Sequence, residues 1–142
     1  IHPVEHAARG EVAMRRLAIA FVLLFAGAVE SHSQTSSEID ATMAANVKAL
    51  NSAAPIQRGD WTFTRASYDR TRRAITYHIK DKTVVLAEIS VKRYRSLMQE
   101  PIRKDVCSKV TAFKKFGVTV IYVISDKNGQ FIANTTIRAG KC

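Results

Sequence analysis

The chain has little of several things, and each scarcity closes off a class of protein. It holds two cysteines, Cys107 and Cys142, and four histidines, of which only His78 lies beyond residue 33. Metal sites take clustered His, Cys or carboxylate ligands, and no such cluster occurs, so neither a metal nor a cofactor is expected. The six glycines form no phosphate-cradling loop. No serine, cysteine or histidine falls in a catalytic motif, and an enzyme is not expected. Internal repeats and low-complexity tracts are absent. A membrane-spanning helix needs roughly 20 apolar residues, whereas the unbroken apolar run at 17–29 has 13. No cysteine directly follows that run, so a lipid anchor has no acceptor there.

The run is flanked as a secretory signal is. Met14, Arg15 and Arg16 give a basic start, residues 17–29 an apolar centre, and small residues follow. Cleavage fits after Ser33, with Ala26-Gly27-Ala28 as an earlier site. Residues 1–13 precede Met14 and read as an upstream extension of the reading frame outside the native product; a genuine tail is the alternative. The expected organisation is 1–13 extension, 14–33 signal peptide, 34–142 a single domain, with no integral membrane segment left after cleavage. The domain would have 109 residues, enough for a modest core. Residues 1–33 carry as many cations as anions, so the charge stays at +10.

Within 34–142 the apolar periodicities alternate between helix and strand. Ile39, Met43, Val47 and Leu50 recur at helical spacing, with Ser36 or Ser37 as cap, up to about Ser52. Residues 61–69 alternate and are rich in Trp, Phe, Thr and Tyr, and 74–79 return as a second strand. Residues 83–89 are ambiguous between strand and helix. Ser90 suits the cap of a helix over 91–99. Pro101 suits the first turn of a further helix, with Ile102, Val106, Val110 and Phe113 as its stripe and Gly117 at its end. Residues 118–125 form the most apolar strand, central by composition. Asp126-Lys127-Asn128-Gly129 makes a hairpin turn, and 131–138 return. The expected fold class is α+β: helix, two strands, helical crossover, two strands, giving a four-stranded, mainly antiparallel sheet with helices packed against it.

An even cysteine count after a signal peptide favours a Cys107–Cys142 disulfide of structural role. The basic residues cluster as Arg70, Arg72 and Arg73; Lys92, Arg93 and Arg95; and Arg103 and Lys104, with Tyr68, Tyr77 and Tyr94 near some of them. Basic residues among aromatics can bind nucleic acid or anionic glycan; the commoner role is a solvated face. His78 with Asp69 or Asp81 is the only constellation a small periplasmic hydrolase could use. Asn134-Thr135-Thr136 matches a glycosylation sequon by chance.

The segment from Ile75-Thr76-Tyr77 through Cys107, Phe116-Gly117-Val118, Tyr122, Asp126, Gly129 and Ile132 to Cys142 resembles a group of small bacterial envelope or periplasmic disulfide domains. These are similar to the pilotin-type domains of type II secretion. The resemblance covers about residues 40–142. It implies a helix-flanked antiparallel sheet with a disulfide, and a non-catalytic module that binds another envelope protein. Pilotins are commonly lipoproteins, and this chain lacks the lipid-bearing cysteine.

Overall fold

The structure is a computed structural model that describes residues 35–109, 115 and 117–142. The extension, the signal peptide and its cleavage site, and the predicted stripe positions Val110 and Phe113, lie outside the described residues. Helix α1 spans Ser36–Ala53. Strands β1 (Ile56–Arg58), β2 (Trp61–Asp69) and β3 (Ala74–Asp81) follow. A single 3₁₀ turn at Leu86–Glu88 leads into helix α2, Val91–Lys109. Strands β4 (Thr119–Ser125) and β5 (Phe131–Arg138) and a last 3₁₀ turn at Ala139–Lys141 complete the chain.

The sheet has five strands in sequence order, not four. The additional strand, β1, pairs Gln57 with Thr62 and Arg58 with Trp61. At three residues it is too short to show alternation. Three pairings are antiparallel; β3 and β4 run parallel, joined through α2. Adjacent parallel strands need such a crossover.

Two further expectations are corrected. The cap of α1 is Thr35, whose hydroxyl accepts from the Glu38 N–H at 3.2 Å, and neither Ser36 nor Ser37 takes that role. Pro101 sits inside one 19-residue helix and does not start a second. Its missing N–H removes the rung to the Leu97 carbonyl. Tyr94, Met98, Ile102 and Val106 are nevertheless all buried, and their four-residue spacing runs straight across the proline. Burial of that stripe, worth roughly 1.5–3 kcal/mol per large side chain, outweighs the broken rung. Ser90 does cap α2, its hydroxyl accepting from the Arg93 N–H at 3.3 Å.

Both helices contribute to one core with a single face of the sheet. Trp61, Phe63, Tyr77 and Tyr122 are fully buried there, with Ile39 and Met43 of α1 over them. α1 packs against β2 and α2 against β5. The alternation of strand side chains leaves the other sheet face without a helix among the described residues.

Candidate functional site

The two cysteines meet. Cys107 on α2 and Cys142 after β5 form a disulfide with Cα atoms 5.4 Å apart. Nearby, Arg103 donates to the Lys141 carbonyl at 3.5 Å. The bond fastens the last helix to the end of the edge strand, which is a structural task.

The eight basic residues singled out in the sequence fall into two groups. Arg70, Arg72 and Arg73 form the β2–β3 turn. Arg73 is left-handed (φ 49°), and its carbonyl accepts from the Thr119 N–H at 2.8 Å. Arg72 lies 3.9 Å from Asp69, and Arg73 3.9 Å from Asp40. Arg103 and Lys104 lie towards the C-terminal end of α2, which the parallel crossover brings to the same end of the sheet as that turn. Lys92, Arg93 and Arg95 begin α2 at the other end; Lys92 and Arg103 are about 16 Å apart along the helix axis at 1.5 Å per residue. Their aromatic neighbours offer no stacking platform. Tyr77 is in the core. Tyr94 is buried and donates to Asp81 at 2.8 Å. Tyr68 donates to Asp40, and burial, then that bond, pushes its hydroxyl pKa well up.

His78 and Asp81 face opposite ways. Asp81 is inaccessible to solvent and accepts from the Thr83 N–H (2.9 Å), the Thr83 hydroxyl (2.6 Å) and Tyr94. Burial pushes its carboxyl above the ordinary range despite those bonds. His78, an odd number of residues away on the same strand, points to the helix-free face. Asp69 accepts from the Thr71 and Arg72 N–H groups. The structure thus brings neither carboxylate to the imidazole in a way that would make it a base. Asp126 has a positioning role of its own. Its carboxylate accepts from the N–H groups of Leu86, Asn128 and Gln130, each at 2.9 Å. The Leu86 N–H above all holds its pKa below the usual carboxylate range. It joins the β4–β5 hairpin to the loop before α2.

The surface that sequence reasoning missed is the helix-free sheet face. Register places Arg65, His78, Val123 and Asn134 in one row across four strands, and Ser67, Thr76, Ile121 and Thr136 in the next. Lys80 lies above the first row and Arg138 below the second. Ile121 and Val123 are half-buried at its centre, and Phe131, among the described residues the large hydrophobic most open to water at 55%, stands at its margin opposite Ser125. The sole carboxylate of this face among the described residues, Asp69, is at a corner, engaged by the turn. Burial, then the neighbouring Arg65 charge, lowers the His78 pKa. The signal in the sequence was the second face of β4, Thr119, Ile121, Val123 and Ser125, but its neighbours depend on register.

No family model matches the chain, and no characterised protein matches it significantly in sequence. Solved structures do match in fold. The type II secretion system pilotin AspS from Vibrio cholerae superposes with a TM-score of 0.54 at 11% identity, covering 75% of this chain and 94% of that one. The pilotin EpsS of the Vibrio vulnificus type 2 secretion system gives 0.55 at 16% identity, with the same coverages. A protein of Pseudomonas aeruginosa assigned as secreted gives 0.57 at 17%, covering 79% and 99%. The chain has a pilotin-like fold. Among the described residues, no helix is long and apolar enough to cross a membrane.

Proposed function

We propose that the chain is an exported, non-catalytic binding module of the bacterial envelope, an accessory that engages another protein, as the sequence resemblance implied. The observation that supports this most is the likeness of nearly the whole domain to two type II secretion pilotins. The basic residues and the disulfide accord with an exported domain, placed in the periplasm or outside the cell after cleavage near Ser33. The test is co-purification of the oxidised domain with each envelope component of a type II secretion system expressed beside it. A stable one-to-one complex with one component supports the reading; no complex with any of them, at low or moderate salt, refutes it.

The second reading is a binder of polyanions, favoured by the net charge of +10 and by the grouping of Arg70, Arg72, Arg73, Arg103 and Lys104 at one end of the sheet. It requires binding that weakens steeply with salt, because counterions are released as phosphates or sulfates are neutralised. Immobilised heparin with a salt gradient distinguishes it: elution at low salt removes this reading and leaves the first.

A further inference from the structure

We propose that the helix-free face of the sheet is a docking surface for an acidic protein segment, one with an aliphatic centre and carboxylates towards both ends. This rests on the reading of the chain as a protein-binding module and adds where the partner sits and what chemistry it carries.

Three observations lead there. The first is charge. Arg65, Lys80 and Arg138 project from β2, β3 and β5 on this face, and the lone carboxylate there among the described residues is the corner residue Asp69, already engaged. A solvated sheet face ordinarily interleaves both signs; this one does not. The second is arrangement. Arg65 and Arg138 lie on strands three apart and four residues apart in register, about 19 Å on the diagonal at the usual strand spacing and rise, with Ile121 and Val123 of β4 between them. A half-buried aliphatic centre with a charged margin is how protein interfaces are built. The third is what the surface lacks. Single-stranded nucleic-acid sites stack successive bases on several aromatic rings; here the tyrosines near the basic residues are committed to the core or to carboxylates, and Phe131 at the margin is the one exposed ring on this face among the described residues. The face is strand-lined, and its second row presents the hydroxyl residues Ser67, Thr76 and Thr136 beside Ile121.

His78 supplies an internal reporter. It sits between Arg65 on β2 and the uncharged Val123 on β4, with Thr76 and Lys80 beside it on its own strand. A carboxylate placed over this row offsets the Arg65 charge, so the imidazole pKa rises on docking.

The test uses the oxidised domain, isotope-labelled, and three probes: a synthetic peptide with an aliphatic centre and glutamates at both ends, the same peptide with lysines in place of glutamates, and heparin. Amide shifts on titration with the glutamate peptide are expected to concentrate at Arg65, His78, Val123 and Thr136. The His78 ring protons should titrate at higher pH in the complex. The Arg65→Glu/Arg138→Glu variant should bind the glutamate peptide at least tenfold more weakly and gain affinity for the lysine peptide. Both residues are exposed, and the variant's own amide spectrum checks that it is folded; Arg65→Gln alone gives a milder, separately readable loss. Shifts confined to the helices, equal binding of both peptides, no binding of either, or binding of heparin alone on this face each overturns the proposal. A secretion component that never binds would sink the functional reading while leaving the peptide result standing. A captured component that perturbs only α1 and α2 would do the reverse.

Discussion

Replacing Cys142 with serine is the sharpest perturbation of this fold. The bond joins residues 35 apart in sequence. Closing a loop of that length removes about 13 cal/mol/K from the unfolded chain in the loop-entropy treatment, or about 3.8 kcal/mol at 25 °C. The native side should change little. Ala139 donates to the Val118 carbonyl at 3.1 Å, and Cys142 to the Ala139 carbonyl at 3.3 Å, so the tail keeps its place without the bond. The loss therefore falls on the unfolded state. With an unfolding entropy of about 2.1 cal/mol/K per residue, a domain of roughly 110 residues should melt about 16 °C lower. Scanning calorimetry of the oxidised protein against Cys142→Ser measures this. Cys107→Ser should match it, and reduction of the parent should move its melting to the variants' temperature. A fall of less than about 4 °C, which is roughly 1 kcal/mol, would refute the loop-entropy reasoning. So would a variant whose amide spectrum differs across α2 and β5, because the native state would then have changed as well.

Other consequences are smaller. Asn51 of α1 donates to the Ala66 carbonyl at 2.8 Å and accepts from its N–H at 2.7 Å; Asn51→Ala should cost about 2 kcal/mol by urea unfolding, since both partners are left on a buried residue. Asp126→Asn should make the protein less sensitive to acid. Its carboxyl pKa is depressed, so its contribution is complete above the unfolded value and is lost as pH falls through the folded one. Asp81→Asn should act with the opposite sign. Its pKa is raised, so the parent loses stability as pH rises from the unfolded value through the folded one, and the variant should lack that decline. Denaturation midpoints between pH 3 and pH 7 separate the two; slopes of the same sign would refute the assignment.

Much of the fold was legible because long strands and helices carry their burial pattern locally. Residues 61–69, 118–125 and 131–138 read as strands, and the structure forms strands at Trp61–Asp69, Thr119–Ser125 and Phe131–Arg138. Elements whose identity depends on a partner were not legible. Ile56-Gln57-Arg58 is a strand only because Trp61, Thr62 and Phe63 lie beside it. Pro101 is a local stop that the stripe from Tyr94 to Val106 overrides. The sheet face with Arg65, His78, Lys80 and Arg138 is made of residues far apart in sequence, each unremarkable among its neighbours. Basic runs such as Arg70-Arg72-Arg73 drew attention instead, because clustering along the chain is visible and clustering across strands is not.

The double hydrogen bond of Asn51 to Ala66 does more than hold a helix in place. An amide side chain there stands in for one residue of a neighbouring strand, on the part of β2 that β1 does not reach. On that side the sheet offers an incoming chain only a three-residue strand following Pro55, which has no N–H to give. Among the described residues, the longer unpaired border is β5. A sheet extensible on both sides can grow without limit, but one extensible on a single side is used up when two copies meet. At high concentration this domain should therefore stop at pairs, visible by light scattering as a plateau at twice the monomer mass, where a sheet with two open sides would continue into fibres.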